Sequence, residues 1–240
     1  MIGTILNVAG IVIGGVAGLA RRQPFSAQTE SLFRVLLGVF TVAFGLVLTW
    51  KSLNGPFSLI VKQVLVVLLA LMLGKLTGRA LRLQKLSNRL GHIARDHLSH
   101  PPSGKRDRMN AGFETCSALY CAAPLGLLGA VQDGLGGYFY PLAVKGVMEG
   151  LATAGFARIF GWGALLSALP VLAIQGTLSL LVLRFVAPFL ETHNLVDAVN
   201  ATGGLLVFSV GLVIFELKRI ELTDYLPSLI MAPLLTWLLR

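Results

Sequence analysis

The sequence is poor in charged residues. Only 13% of its 240 residues are Asp, Glu, Lys or Arg, whereas a typical soluble domain has roughly 25%. Hydrophobic residues make up 55% of the chain. This composition argues against a soluble globular domain and favours a protein whose surface faces lipid.

Cysteine is also scarce. The two cysteines, Cys116 and Cys121, fall in one apolar segment. Two thiols on one helix form neither a disulfide framework nor a complete metal site. We therefore interpret both as packing residues and expect no bound metal.

Motifs of the common enzyme classes are missing as well. The sequence has no P-loop, no dinucleotide-binding fingerprint, no His-Glu-x-x-His zinc motif and no Gly-x-Ser-x-Gly elbow. We expect a protein that is not an enzyme and needs no cofactor. The formal net charge of +9 suggests nucleic acid at first sight, but basic loops on the inner side of a membrane explain it better. No nucleic-acid partner is expected.

Long apolar runs are abundant. Several reach the roughly 20 residues that an α-helix needs to cross a bilayer, and they predict an all-α, polytopic membrane protein surrounded by the lipid bilayer. We predict about eight transmembrane helices in a single transmembrane domain over residues 1–240: 2–20, 33–50, 57–78, 111–131, 138–157, 162–187, 202–217 and 224–239. The first run lacks the basic segment and cleavage site of a signal peptide, so we expect it to be retained.

Basic residues are distributed unevenly between the loops. The connection after the third span carries nine Lys and Arg, and its pattern over about 79–110 is that of a basic segment containing an amphipathic helix on the inner leaflet. If the spans alternate in direction, the inner loops hold fifteen basic residues and the outer loops and ends hold four. The positive-inside rule then places both termini on the outer side of the membrane.

A weak internal repeat appears when the sequence is shifted against itself by 166 residues. The shift matches two pairs of glycines, Gly38 with Gly204 and Gly45 with Gly211. Spans 1–3 would then correspond to spans 6–8 in the opposite orientation. Inverted repeats of this kind are common in transporters, whose sites lie near the membrane midplane. Chance alignment of apolar, glycine-rich segments is the alternative.

Two charged residues lie within the fifth span. Lys145 and Glu149 stand four residues apart in "PLAVKGVMEGLATAG", so they share one helical face and can pair. A charged side chain at the centre of a membrane helix costs ~2.5 to 3.5 kcal/mol, so neither should face lipid. Ionisable residues at this depth usually form an ion, proton or substrate site, although a pair can also serve only to clamp helices together.

The fourth span is interrupted by a proline. Pro124 removes a backbone donor and frees a carbonyl of the preceding turn, so we expect this helix to be kinked or broken. Gln132 and Asp133 follow in "QDGLGG" and could line a polar cavity together with that carbonyl. Alternatively, Pro124 is a tolerated kink and "QDGLGG" is a simple outer turn.

Uncharged polar residues could join the same site. Asn7 in the first span and Gln175 in the sixth lie inside apolar runs, as do Ser167 and Ser209. Each can also hold helices together without a further role. The candidate substrate or ion site therefore comprises Gln132, Asp133, Lys145, Glu149, Gln175 and Asn7. The glycines of "GIVIGGVAG" at 10–18 favour a close helix crossing.

Three segments resemble a known protein family. They are "MIGTILNVAGIVIGGVAG", "ALYCAAPLGLLGAVQDGLGG" and "LAVKGVMEGLATAGFARIFGWGALLSALPVLAIQG", and they are similar to the bacterial inner-membrane proteins of domain-of-unknown-function family 554. The resemblance implies a multi-pass protein of a bacterial cytoplasmic membrane, with both ends periplasmic under the orientation above. It brings no settled substrate or mechanism.

The family pattern is kept here with substitutions. Its Gly-Ser-x-Gln-Asp-Gly and Lys-Ser-x-x-Asp-Gly motifs correspond to 129–134 and 145–150. Glu149 in place of Asp keeps the charge and lengthens the arm. Glu114 stands where the resemblance implies a small residue.

Two functions fit these observations. The first is a membrane transporter or channel for a small solute or ion, with the residues named above as its polar lining. The second is a structural or regulatory membrane protein whose buried polar residues only hold helices together and whose basic segment docks a partner. The sequence leaves the solute, the coupling ion and the formation of a homo-oligomer open.

Overall fold

The described part of the chain is entirely helical apart from its connections. A computed structural model describes residues 1–20, 23, 25–99 and 104–239. The α-helices are α1 Ile2–Ala20, α2 Ala27–Lys51, α3 Phe57–Ala80, α4 Leu83–Ser99, α5 Lys105–Ala122, α6 Pro124–Gly136, α7 Tyr140–Phe160, α8 Gly163–Leu166, α9 Ala168–Leu181, α10 Ala187–Thr192, α11 Val196–Ile214, α12 Leu222–Tyr225 and α13 Ser228–Leu238, with a π-helical turn at Val182–Val186 between α9 and α10. The prediction of an all-α fold is confirmed.

The helices include several that are long and apolar enough to cross a membrane. Within the described ranges there are five: α1, α2, α3, α11 and the run Gly163–Thr192. The bent pair α5 and α6 makes a sixth if it counts as one span. The chain is thus a membrane protein with several apolar helices. The two further spans of the predicted eight correspond to α7, which carries Lys145 and Glu149, and to the short α13, so the count of eight stays a prediction.

Some helices begin earlier than the apolar runs. The second helix begins at Ala27 rather than at residue 33, because the Ser26 hydroxyl accepts a hydrogen bond from the Thr29 N–H at 3.2 Å and caps a polar first turn. The helix predicted from residue 202 begins at Val196. In both cases the polar turn is helical although it lies outside the apolar stretch.

The chain divides into two compact units. Unit 1 consists of Met1–Ser31 and Leu86–Leu180, and unit 2 consists of Leu32–Lys85 and Leu181–Arg240. Each unit is therefore assembled from segments that are far apart in sequence. Residues 1–240 were expected to form one transmembrane domain, and that expectation stays a prediction.

In unit 1, α1 and α7 cross closely through their glycines. A Cβ placed on Gly10 would collide with the carbonyl of Gly146, and one placed on Gly14 would collide with that of Gly150. Both contacts join residues 136 positions apart, so the two helices run in the same direction. The close packing predicted from "GIVIGGVAG" is confirmed, with α7 as the partner.

The predicted amphipathic helix is present as α4, which follows α3 after a sharp turn; its first residues, up to Lys85, belong to unit 2, and the rest of the helix belongs to unit 1. Arg82 adopts a left-handed conformation with a φ of 57° and ends the third helix. The first turn of α4 is fixed by Asp224, whose Oδ1 accepts the Gln84 N–H at 2.9 Å. Gln84 Oε1 in turn accepts the Thr223 N–H at 3.3 Å. The start of α4 is thereby tied to α12.

Candidate functional site

The fourth predicted span is broken at its proline, as expected. α5 ends at Ala122 and α6 begins at Pro124, with a bend of 58° between them. Pro124 has no N–H, so it cannot donate to the carbonyl of Tyr120 four residues earlier. That carbonyl instead accepts a hydrogen bond from Lys145 Nζ at 3.1 Å. The break in one helix thus provides a polar partner for a charge on another.

The ion pair predicted from the four-residue spacing is present. Lys145 Nζ contacts Glu149 Oε1 on the same face of α7. Lys145 is 2% exposed and Glu149 is 6% exposed, so both side chains point into unit 1. Glu149 Oε2 has no hydrogen-bonding partner among the described residues.

Two amides from other helices meet beside this pair. Asn7 Nδ2 on α1 donates to Gln175 Oε1 on α9 at 2.9 Å. Both residues are at most 1% exposed. An ideal Cβ on Gly126 would lie 2.9 Å from Gln175 Nε2 and 2.9 Å from Lys145 Cε, so Gln175 and Lys145 both reach the first turn of α6. Asn7, Lys145, Glu149 and Gln175 therefore form one buried polar cluster, which we call the α7 cluster.

Gln132 and Asp133 lie further along α6. Both are helical, so "QDGLGG" is not a simple outer turn, and the helix ends only at Gly137 in a left-handed conformation with a φ of 66°. Asp133 Oδ2 accepts the Thr4 N–H at 3.4 Å and contacts the Met1 amino group at 3.0 Å. The carboxylate thus caps the N-terminus of α1, where negative charge is favourable.

Gln132 is fully buried, and its side-chain amide makes no hydrogen bond to the described residues. It is 0% exposed, and neither Nε2 nor Oε1 has a hydrogen-bonding partner in the described part of the chain. Asp133 Oδ1 and Gln175 Nε2 are likewise buried without a recorded partner there. Leaving a buried polar group unsatisfied costs about 1 to 3 kcal/mol. The candidate site residues therefore retain hydrogen-bonding capacity that the other described residues do not use.

The structure adds residues that the sequence interpretation missed. Tyr120 hydroxyl lies 2.7 Å from Thr153 Oγ1, and Thr153 donates to the Glu149 carbonyl at 2.6 Å. Tyr120 could have been found, because it stands four residues before Pro124 and its carbonyl had to lose its helical donor. Thr153 had no comparable signal, since threonines in helices commonly bond the carbonyl four residues back.

Other polar residues named from the sequence lie outside the α7 cluster. Ser167 donates to the Ala164 carbonyl at 2.6 Å, and Ser209 donates to the Leu205 carbonyl at 2.9 Å. Each hydroxyl is thus satisfied by a backbone carbonyl three or four residues earlier in the chain. Glu114, the departure from the family pattern, lies on an exposed face of α5.

Comparison with known proteins agrees with this architecture. The chain is 25% identical over 241 residues to "Uncharacterized membrane protein YdfK" of Bacillus subtilis (strain 168), which covers 100% of this chain and 97% of that protein. It is 27% identical over 235 residues to "Uncharacterized protein YqgA" of Escherichia coli (strain K12), covering 97% and 94%. No solved structure matches the chain. The profile of the family DUF554, described as "Protein of unknown function", matches residues 2–237, and the chain therefore belongs to this family.

Proposed function

We propose that this protein is a transporter or channel for a small solute or ion in the cytoplasmic membrane of a bacterium. The site is the α7 cluster, extended along α6 by Gln132 and Asp133. The alternative is a structural or regulatory membrane protein that does not transport. One observation fits the structural alternative. The Lys145 ammonium donates to both the Tyr120 carbonyl and the Glu149 carboxylate, as expected of a group that holds helices together.

The observation that carries the proposal is the excess of unpaired polar atoms around a buried charge pair. A buried ion pair often contributes less stability than apolar residues of the same size, so the pair has no evident advantage as a clamp. Glu149 Oε2, Gln175 Nε2 and both side-chain heteroatoms of Gln132 have no partner among the described residues. An ionisable residue inside a membrane helix bundle, as Glu149 is, marks a substrate or ion pathway by default. A helix broken beside them is also typical of transporter binding sites.

We further propose that the protein has eight spans and that spans 1–3 and spans 6–8 are two copies of an inverted repeat. The support comes from α2 and α11 in unit 2. An ideal Cβ on Gly45 would approach the Gly204 carbonyl oxygen at 2.6 Å, and one on Gly211 would approach that of Gly38 at 3.3 Å. Adding 166 to Gly45 gives Gly211, and subtracting 166 from Gly204 gives Gly38. The two contacts are therefore equivalent under the repeat, with the two helices exchanged.

Two more pairs of contacts obey the same exchange. Gly45 meets Phe208 as Gly211 meets Val42, and Gly204 meets Thr49 as Gly38 meets Phe215. Each contact becomes the other when 166 is added to one residue and subtracted from its partner. Contacts that exchange in this way are expected of two antiparallel helices related by a two-fold axis, and chance alignment of glycines does not require them.

Transport is tested with purified protein in liposomes. The probes are protons, sodium, potassium, chloride and formate, each followed by a trapped indicator or a radioactive tracer. We expect wild-type protein to move at least one probe, and Glu149→Gln to lose that movement because its side chain keeps the size but not the charge of the carboxylate. Glu114→Gln, at an exposed position, is the control and should behave as wild type. Equal movement by wild type and Glu149→Gln would contradict a role for the pair in transport.

The orientation is tested by labelling from outside the cell. In a background with Cys116 and Cys121 replaced by Ala, Lys85→Cys on α4 should not react with a membrane-impermeant thiol reagent in intact spheroplasts. Lys51→Cys, at the predicted outer end of α2, should react. Both side chains are exposed, so access and not burial decides the result. Reaction at 85 but not at 51 would reverse the predicted topology and place both termini in the cytoplasm.

A further inference from the structure

The N-terminus of α6 lies within unit 1 and faces donor groups from two other helices. We infer that the transported solute is a small anion and that it binds here, an inference that rests on the proposed transport function. The first turn of a helix carries the positive end of the helix dipole, and this end of α6 lies at the break beside Pro124. α6 has 13 residues, enough for this effect to be developed. Helix N-termini are common anion sites for this reason.

Gln175 is the second, independent indication of a ligand. Its Oε1 accepts a hydrogen bond from Asn7 Nδ2, and its Nε2 lies toward Gly126 in the first turn of α6. The residue is 1% exposed, and Nε2 has no acceptor in the described part of the structure. On the side of Gly126, its neighbours are the first turn of α6 and the ammonium group of Lys145, which is itself a donor. An anion would satisfy Nε2, and a cation would not.

Lys145 supplies the charge. Its Nζ lies 3.5 Å from the position of an ideal Cβ on Gly126, so the ammonium group and the amide of Gln175 reach the same part of α6. Gly126 N–H bonds back to the Ala123 carbonyl at 2.9 Å, which keeps the turn compact at the break. Because Gly126 has no side chain, both donors can approach the α6 backbone. The ammonium and the amide N–H₂, together with the positive end of the α6 dipole, suit a carboxylate or a halide.

Glu149 is the resident counter-ion that such an anion replaces. With Lys145 and Glu149 both charged, the pair is neutral, and a second anion would leave one uncompensated negative charge in a buried site. We therefore expect one proton to enter with the anion and to reside on Glu149, which keeps the site neutral throughout. The titratable group that acts on Glu149 is Lys145 on α7, while α1 contributes the uncharged Asn7. Glu149 in turn acts on three titratable side chains of α5, Cys116, Tyr120 and Cys121.

Binding is measured on purified wild-type protein in detergent, with formate and chloride as probes. A ligand that binds only the folded state raises the midpoint unfolding temperature as its concentration increases. We expect sodium formate or sodium chloride to raise the midpoint at concentrations where sodium gluconate, whose anion is much larger, does not. Choline and potassium salts of the same anion should act equally. An effect that follows the cation, or an equal effect of gluconate, would overturn the inference.

Two variants locate the site. Gly126→Ala puts a methyl group between Gln175 and Lys145, and Gln175→Leu removes the unpaired donor. Each should weaken the anion-dependent shift by about tenfold in concentration or more. Gly155→Ala is the matched control, since a Cβ there meets nothing within 4 Å, and its shift should equal that of wild type. If Gly126→Ala fails to fold, Gln175→Leu decides, and an undiminished shift in it would refute this location.

Failure of the inference can be distinguished from failure of the proposed function. If neither anion binds but sodium or potassium moves in the liposome assay, the protein transports and the anion site is wrong. If formate or chloride binds as described but no probe crosses the membrane, the anion site stands and the transport function fails. Uptake of formate or chloride that is lost in Gln175→Leu would support both.

Discussion

Replacing Lys145 with Met is expected to lower the midpoint unfolding temperature of the purified protein by roughly 10 °C. The substitution leaves the Glu149 carboxylate in unit 1 without its counter-charge, and it removes the donor that satisfies the Tyr120 carbonyl at the helix break. Breaking a buried pair by removing one partner typically costs 3–5 kcal/mol. Thermal unfolding in detergent, followed by intrinsic fluorescence, measures the change.

The double variant Lys145→Met with Glu149→Leu provides the comparison. Replacing both charges with apolar groups removes the desolvation cost together with the attraction, so its midpoint should lie well above that of the single variant. The Tyr120 carbonyl still lacks its donor, so a small loss relative to wild type is expected to remain. Lys85→Met, at an exposed position of α4, is the control for loss of a positive charge. A single variant as stable as wild type, or a double variant less stable than the single one, would contradict the coupling between the two residues.

The second large effect is expected at the crossing of α1 and α7. Gly150→Ala and Gly155→Ala are the same substitution on the same helix, so any gain in helix propensity is shared. A Cβ on Gly150 would lie 2.6 Å from the Gly10 carbonyl oxygen, whereas one on Gly155 meets nothing within 4 Å. Gly150→Ala should therefore destabilise the protein by about 1–3 kcal/mol through overpacking, and Gly155→Ala should be neutral or stabilising.

The same pair of variants also reports on the α7 cluster. Forcing α1 away from α7 moves Asn7, whose Cα lies 2.9 Å from the position of an ideal Cβ on Gly146. Gly150→Ala should thus reduce transport in liposomes even where the protein remains folded at the assay temperature. Equal stability of the two alanine variants would show that this glycine contact is not required for packing.

The features that the sequence predicted correctly are local ones. The pairing of Lys145 with Glu149 follows from a four-residue spacing, and the helix break follows from the missing N–H of Pro124. The close approach of another helix to α1 was also predictable. Glycines spaced four residues apart, such as Gly10 and Gly14, leave one face of the helix without side chains, so a neighbouring backbone can come close. In each case the cause lies within one or two turns of the residue concerned.

The parts that could not be predicted depend on contacts between distant segments. Asn7 meets Gln175 across 168 residues, and Thr4 meets Asp133 across 129. Hydropathy places each of these residues in an apolar run but does not determine which helices are neighbours. Hydropathy also sets helix ends poorly, since Ser26 and Val196 extend two helices by polar turns that an apolar window leaves out.

Transport by the double variant Lys145→Met with Glu149→Leu tests the central claim most directly. The unfolding midpoint establishes first that the variant is folded, so a loss of movement cannot be attributed to instability. If the α7 cluster is a transport site, the folded double variant should move none of the probes that wild type moves. A double variant that is stable and moves the probe at the wild-type rate would contradict the account and show that the pair only holds helices together.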